Sequence, residues 1–212
     1  MGVALGEAGL GIPFEDAELT QALGFAALAV ILAEGGLTTN WRQMRSSIRL
    51  GASLATLGIV VSVTLVAVAG HYLLGLPWQL AVLLGAVCSP TDAAAVFSVL
   101  RVVPLPKRLT GALEAESGLN DAPTVVLVVL VSTGAVSDHH PGVVVAMVVG
   151  QLLGGVAVGL AAGFGGAWLM RRAALPTAGL YPLAVLSLTF LSYGAAAAAQ
   201  ASGFAAVYVA AL

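Results

Sequence analysis

The chain has 212 residues, of which 59% are hydrophobic and only 8% charged, with a formal net charge of −2. A soluble globule of this length cannot bury so much apolar surface, so the composition excludes soluble enzymes and nucleic-acid-binding domains. It indicates an integral membrane protein, in which the placement of the charges along the chain is more informative than their sum.

Apolar runs occur along the whole chain. Crossing roughly 30 Å of hydrocarbon takes about 20 residues, and about six runs reach that length. They are 17–38, 48–74, 77–100, 109–136, 142–170 and 178–200, followed by a half-span at 204–212. Because these runs are uniformly apolar and lack the alternation of a β-barrel, we predict an all-α polytopic membrane protein. Residues 1–212 are expected to form a single transmembrane domain that contacts the lipid bilayer.

The basic residues predict how the helices are oriented, since Lys and Arg concentrate in short cytoplasmic loops. All eight lie in or beside alternate loops. They are Arg42, Arg45, Arg49, Arg101, Lys107, Arg108, Arg171 and Arg172. We therefore expect loops 39–48, 101–108 and 171–176 to be cytoplasmic in a multi-pass protein of the cell membrane. The acidic segment before the first span is expected outside.

The first span contains a carboxylate, Glu34, which is followed by Gly35-Gly36 and lies about eight residues before Arg42. A carboxylate near the membrane centre costs about 2.5–3.5 kcal/mol on insertion scales, so such a residue indicates a function. We expect Glu34 to bond to Asn120 or to a basic partner from outside this chain. The alternative is that its side chain snorkels towards Arg42.

The third span has a proline inside its apolar run, in the motif Ser89-Pro90-Thr91-Asp92. Proline removes a backbone donor and clashes with the carbonyl four residues earlier, which predicts a discontinuous helix near mid-membrane. The oxygens of the motif can satisfy the freed backbone groups and cap a second half-helix over about 93–100. Such helices build cation sites in secondary transporters. The alternative is a simple kink in which Asp92 is only an N-cap.

The fourth span carries the motif Glu116-Ser117-Gly118-Leu119-Asn120-Asp121. Helical spacing places Glu116 with Asn120, and Ser117 with Asp121, on shared faces. A rise of about 1.5 Å per residue puts Asp121 roughly 18 Å into the span, near the bilayer midplane. Oxygen-only groups suit Na⁺ or K⁺ rather than a soft transition metal. The alternative is that Asn120 and Asp121 only bond helices together.

Closely spaced glycines mark the fifth span. They form overlapping GxxxG spacings, which allow another helix to approach closely. These glycines are Gly150, Gly154, Gly155, Gly159 and Gly163. We interpret the stripe as internal helix packing, with a contact between subunits as the alternative.

Four segments of the chain resemble, in order, signatures of monovalent cation/proton antiporters of the NhaP type, a CPA1-like group of Na⁺/H⁺ and K⁺/H⁺ exchangers. The segments are Leu32-Ala33-Glu34-Gly35-Gly36-Leu37, the run from Gly85 to Arg101, the Glu116–Asp121 motif, and Gly203-Phe204-Ala205-Ala206-Val207-Tyr208. The resemblance covers nearly the whole chain and points towards the potassium/proton branch.

The resemblance implies a fold of roughly a dozen helices in two inverted repeats, with a core domain that moves against a dimerisation domain. This chain would be the first half of that antiporter fold, with a discontinuous helix at Ser89–Asp92. Both ends look truncated on this basis. The full-length protein is expected to form a homodimer.

The resemblance also implies roles for individual residues. Asp121 would bind the cation and the proton in turn. The other cation ligands would be Asp92, Ser117, Glu116 and the backbone carbonyl of Thr91. Asn120 would be a structural neighbour held by Glu34, and Ser89 and Pro90 would shape the helix break. An Asn-Asp pair in this motif is associated with electroneutral exchange.

These observations predict a secondary active antiporter that exchanges K⁺ or Na⁺ for H⁺, with no cofactor and no enzyme activity. A carboxylate cannot hold a proton and coordinate a cation at once, so binding one expels the other. Alternating exposure of the site then couples the two fluxes. One alternative is a non-transporting scaffold or sensor subunit. The other is an intramembrane aspartyl protease, although its usual Gly-x-Gly-Asp signature does not precede either aspartate.

Overall fold

The computed structural model describes Gly9 and residues 16–91, 106–173 and 176–212, and every regular element in these ranges is an α-helix. The helices are α1 Ala17–Thr38, α2 Trp41–Leu74, α3 Trp78–Cys88, α4 Lys107–Ser132, α5 Ala135–Asp138, α6 Pro141–Ala173, α7 Leu180–Ala198 and α8 Gly203–Ala211. The predicted all-α class is confirmed.

Four of the described helices are long and apolar enough to cross a membrane. They are Ala17–Thr38, Met44–Leu74, Gly142–Ala173 and Leu180–Ala198, and Trp78–Cys88 is a shorter apolar helix. Helix α4 is long but is not among the four, because its first half carries the polar Glu116–Asp121 motif. The predicted count of about six spans stays a prediction.

Helix α3 ends where the sequence predicts a break. Its last residue is Cys88, and Ser89 is its C-terminal cap, directly before Pro90. The Ser89 hydroxyl donates to the Ala86 carbonyl at 3.2 Å. It thus supplies a hydrogen bond to one of the backbone carbonyls that lack a helical donor at the end of a helix. The predicted half-helix over about 93–100 lies outside the described residues.

Helices α2, α3 and α4 pack together, and we call them the first bundle. Two glycines allow the close approach. A Cβ on Gly85 of α3 would lie 2.6 Å from the Val63 carbonyl oxygen, and a Cβ on Gly51 of α2 would lie 3.0 Å from the Ala112 carbonyl oxygen. Gln79 also ties the start of α3 to the end of α4, since its Nε2 donates to the Val131 carbonyl at 3.0 Å.

Helices α1, α6 and α7 pack around the short α8, and we call these four helices the second bundle. A Cβ on Gly159 would lie 2.5 Å from the Ala206 carbonyl oxygen, and one on Gly163 would lie 3.0 Å from the Ala210 carbonyl oxygen. Gly154 and Gly155 face Ala201 and Ser202 in the same way, whereas nothing lies within 4 Å of a Cβ on Gly150. The interpretation of the glycine stripe as internal helix packing is confirmed for four of its five members.

The two bundles meet along one side of α4. Ala122 of α4 belongs to an apolar cluster with Leu32 of α1 and Val207 of α8. Further along α4, Val126 packs against Val144 of α6. The interface between the bundles is therefore apolar along the part of α4 that follows its polar motif.

The charged side chains define the two ends of the molecule. We call the end where α1 and α6 finish and α2, α4 and α7 begin the basic end; Arg42, Arg45, Arg108, Arg171 and Arg172 lie there. The Ser47 hydroxyl links the start of α2 to the start of α4 by donating to the Arg108 carbonyl at 3.1 Å. Asp16, the N-cap of α1, and Glu18 in its first turn lie at the opposite end.

The outer surface is strongly apolar. Along α2, Leu57, Leu65 and Leu73 are 65%, 64% and 80% exposed. In water such a continuous apolar face would be an aggregation liability. In a multi-pass membrane protein it is the expected surface against lipid or neighbouring helices.

Candidate cation-binding site

A directed chain of hydrogen bonds joins the end of α3 to the polar half of α4. Asn120 Nδ2 donates to Thr91 Oγ1 at 2.7 Å, and Thr91 Oγ1 donates to Glu116 Oε1 at 2.9 Å. A longer contact of 3.5 Å runs from Asn120 Nδ2 to the Thr91 backbone carbonyl. The predicted break in the third span and the predicted motif of the fourth span are thus neighbours in space.

The direction of this chain follows from the donor and acceptor inventory. A hydroxyl has one proton, so Thr91, which donates that proton to Glu116, can only accept from Asn120. The carboxylate of Glu116 is the terminal acceptor. The amide nitrogen of Asn120 must then face Thr91, and its oxygen must face away.

Asn120 is only 1% exposed, and its Oδ1 has no hydrogen-bond partner among the described residues. A buried acceptor that makes no hydrogen bond costs about 1–3 kcal/mol. Such an oxygen is a candidate ligand for a cation or an acceptor for a donor that arrives with it. The structure therefore leaves one buried amide oxygen, on the residue that precedes Asp121, without a hydrogen bond among the described residues.

Asp121 lies about midway along α4 and is half-buried. The Thr124 hydroxyl donates to the Asp121 backbone carbonyl at 2.8 Å. Pro123 lies inside the same helix and has no N–H, so the carbonyl of Leu119, four residues earlier, loses its usual helical donor. A carboxylate and a backbone carbonyl without its helical bond thus lie within one turn of each other.

The structure brings together some of the predicted site residues. Thr91, Glu116 and Asn120 are linked by hydrogen bonds, and Asp121 directly follows Asn120 on α4. Ser89 is buried at the end of α3, with Pro90 next to it. Asp92 lies outside the described residues, as does the side chain of Ser117, so their predicted ligand roles stay predictions.

Glu34 is not brought to Asn120. It lies on an exposed face of the last turns of α1, where its backbone carbonyl accepts from the Thr38 hydroxyl at 2.8 Å. The amide of Asn120 is instead directed at Thr91. The expected hydrogen bond between Glu34 and Asn120 does not form in the described structure, because α1 presents Glu34 away from α4.

A cavity of about 300 Å³ lies between the bundles on the opposite-end side of Asp121. Helices α1 and α4 and the end of α3 form its walls. The lining residues are Gln21, Phe25, Ala86, Val87, Pro90, Thr124, Val125, Val128, Val129 and Ser132. Its walls are mostly apolar, with polar groups at Gln21, Thr124 and Ser132.

Sequence reasoning missed two features of the site. Pro123 lies two residues after Asp121, and a proline inside an apolar run was a signal available in the sequence. Tyr208 of α8 packs against Gly118, and a Cβ on Gly118 would overlap the tyrosine hydroxyl. No local pattern predicts that second contact, because the two residues belong to different bundles.

Replacing Thr91 by valine is expected to raise the cation KM about tenfold, because it removes the hydroxyl that links Asn120 to Glu116 while keeping the side chain's shape. The protein should remain folded. The matched control is Thr64→Val, because the Thr64 hydroxyl donates to the Val60 carbonyl within α2 and lies away from the site. Equal KM values for the two variants in a vesicle exchange assay would contradict the role given to Thr91.

Comparisons with known proteins identify the family of the chain. A family model described as "Sodium/hydrogen exchanger, transmembrane" matches residues 1–212. The chain is 36% identical over 215 residues to the K(+)/H(+) antiporter NhaP of Alkalimonas amylolytica, covering 99% of this chain and 37% of that protein. It is 32% identical over 213 residues to the K(+)/H(+) antiporter NhaP2 of Shewanella sp. (strain ANA-3), with the same coverage of both chains.

A shorter alignment relates the chain to the Na(+)/H(+) antiporter NhaS2 of Synechocystis sp., at 31% identity over 138 residues, which is 65% of this chain and 26% of that protein. The chain spans 37% of the length of the NhaP and NhaP2 relatives. The match to the family model nevertheless extends over all of it. The chain therefore belongs to the sodium/hydrogen exchanger family and is of the NhaP type.

Proposed function

We propose that this chain forms the cation-binding part of a secondary active antiporter that exchanges K⁺ or Na⁺ for H⁺, with the two ions competing for Asp121. One observation carries the proposal. The hydrogen-bond chain from Asn120 through Thr91 to Glu116 holds several oxygens beside a carboxylate, halfway along α4, in an otherwise apolar protein.

Oxygen chemistry favours an alkali cation as the substrate. The candidate ligands are the carboxylate of Asp121, the amide oxygen of Asn120, the second oxygen of Glu116 and the carbonyl left without its helical donor before Pro123. Such hard oxygen ligands suit hard cations. Asp92 and Ser117 are proposed to complete this set.

Exchange follows from the properties of a single buried carboxylate. A protonated Asp121 has no charge to hold the cation, and a bound cation lowers the affinity of the Asp121 carboxylate for a proton. The two loaded forms are electrically alike, so one cation exchanges for one proton and the cycle is electroneutral. The free carboxylate is the costly form in a membrane interior, which discourages movement of the unloaded site.

The relatives indicate which cation to test first. Two relatives that align with 99% of this chain are named K(+)/H(+) antiporters, and one that aligns with 65% is named a Na(+)/H(+) antiporter. We propose a cell-membrane location with the basic end in the cytoplasm. A homodimer is proposed for the full-length protein, on the resemblance to the NhaP type alone.

The test is ion-dependent dissipation of a pH gradient in everted membrane vesicles, with the protein expressed from its complete reading frame. K⁺, Na⁺ and choline are added separately as chloride salts. Exchange with K⁺ or Na⁺ but not choline is the expected result, and the ratio of the two KM values gives the selectivity. Confirmed protein in the membrane with no response to either cation would favour the scaffold or sensor alternative.

A further inference from the structure

Tyr208 crosses from one bundle to the other beside the candidate site. Its backbone belongs to α8, where its carbonyl oxygen would lie 2.8 Å from a Cβ on Gly36 of α1. Its side chain points into the first bundle, where the hydroxyl donates to Met44 Sδ at 3.7 Å. The residue is only 7% exposed and Met44 only 2%. The backbone of Tyr208 therefore belongs to the second bundle, and its side chain packs within the first bundle.

The tyrosine ring packs against Gly118, which lies between Glu116 and Asn120 in the site motif. A Cβ on Gly118 would overlap the Tyr208 hydroxyl and lie 2.9 Å from its Cε2 atom. Any side chain at position 118 would displace the ring. The absence of a side chain at Gly118 thus allows α8 to contact the turn of α4 that carries the site.

This contact lies on the basic-end side of the interface. Met44 is in the first turns of α2, next to Arg42 and Arg45. The cavity between the bundles lies on the other side of Asp121, towards the end of α4 at Ser132. Among the described residues, Tyr208 thus fills the interface towards the basic end, whereas a cavity of about 300 Å³ lies in the interface towards the opposite end.

Transport through one site requires the bundles on either side of it to rearrange, so that the site faces each side in turn. We propose that Tyr208 is a positioning residue that holds the two bundles closed on the basic-end side of the site, and that it leaves Gly118 and Met44 when the site opens to that end. This inference rests on the antiport proposed above, which it deepens by naming the closing contact.

The chemistry of the contact suits a reversible closure. A thioether sulfur is a weak hydrogen-bond acceptor, and methionine adapts easily to a changed neighbour. Gly118 offers a flat surface with no side chain to interlock. The contact therefore excludes water through the bulk of the ring while resisting separation less than a charged pair would.

The first test measures the cation KM from each side, in everted and in right-side-out vesicles, for wild type and Tyr208→Ala. Loss of the ring should favour the state open to the basic end, so the KM should fall on that side and rise on the other. We expect the ratio of the two values to change about tenfold. A purely structural loss would reduce the amount of active protein and the maximal rate but leave this ratio unchanged.

Two further variants sharpen the result. Tyr208→Phe keeps the ring and removes the hydroxyl, so it should shift the ratio in the same direction by less. Tyr193→Ala is the matched control, because Tyr193 packs against Phe204 within the second bundle, with ring centroids 5.0 Å apart. It should leave the ratio at the wild-type value. If Tyr208→Ala does not accumulate in the membrane, Tyr208→Leu replaces it.

A second measurement does not depend on transport. In a Cys88→Ser background, Met44→Cys is labelled with a maleimide from the basic-end side, with and without Tyr208→Ala. Labelling should be at least about tenfold faster without the tyrosine ring, since the ring covers position 44. An unchanged KM ratio, or equally slow labelling in both proteins, would overturn the proposal. If the wild type shows no exchange but Tyr208→Ala still speeds the labelling of Met44→Cys, the proposed antiport is wrong and the proposed closing contact is supported.

Discussion

Asp121→Asn is expected to abolish cation-dependent proton exchange, with a fall of at least about a hundredfold in the initial rate. The variant keeps the size and shape of the side chain but removes the one charge that both ions are proposed to share. A hundredfold loss corresponds to about 2.8 kcal/mol, less than the cost of removing one partner from a buried ion pair. Because asparagine is isosteric with aspartate, membrane insertion and folding should not change.

The matched control for this substitution is Asp16→Asn. Asp16 is exposed at the start of α1, where its carboxylate accepts from the Leu19 amide at 2.9 Å. Asparagine caps helices about as well as aspartate, so stability and exchange should both be retained. The measurement is the pH-gradient assay in everted vesicles, with protein amounts equalised by immunoblot. Full exchange by Asp121→Asn would exclude Asp121 as the shared site.

Gly155→Leu is expected to prevent correct assembly of the second bundle. A Cβ at this position would overlap the Ser202 carbonyl oxygen and lie 2.9 Å from the Ala205 Cβ. The nearest obstacle is backbone, which cannot rotate away as a side chain can. Overpacking in a core typically costs about 1–3 kcal/mol, and here the upper part of that range or more applies. We expect Tm to fall by about 10 °C or the protein to be lost.

The control is Gly165→Leu in the same helix. Nothing lies within 4 Å of a Cβ on Gly165, so the added side chain should be accepted at the exposed surface. Both variants insert the same residue into α6 and so change its intrinsic helix propensity equally. Thermal aggregation of detergent-solubilised protein, followed by fluorescence-detected gel filtration, compares them. Equal Tm values for the two would show that α8 does not pack on α6 as described.

The helices and the family were predictable because both depend on local information. A run of apolar residues predicts a membrane helix from its length alone, and α1, α2, α6 and α7 lie within or close to the predicted runs. The family was predicted from short motifs and confirmed by a match over residues 1–212. Helical spacing also placed Glu116 and Asn120 on one face, and in the structure both reach Thr91.

Predictions about pairing between distant segments were less successful. The sequence suggested Glu34 as a partner for Asn120, but the rotation of α1 about its own axis leaves Glu34 exposed. That rotation depends on which face of α1 packs against α8, through Leu32 and Ala33, and no motif within α1 specifies it. A buried carboxylate predicts that some partner is needed without saying which one.

The amino-acid sequence by itself determined the membrane class, the all-helical architecture, the family and the polar motifs, because each depends on composition or on residues within a few positions of one another. Only the tertiary structure decided that Asn120, Thr91 and Glu116 form one directed hydrogen-bond chain. It also decided that Tyr208 packs against Gly118. Those contacts join segments of different helices, and they depend on how each helix rotates and approaches its neighbours when the glycine and alanine faces pack together.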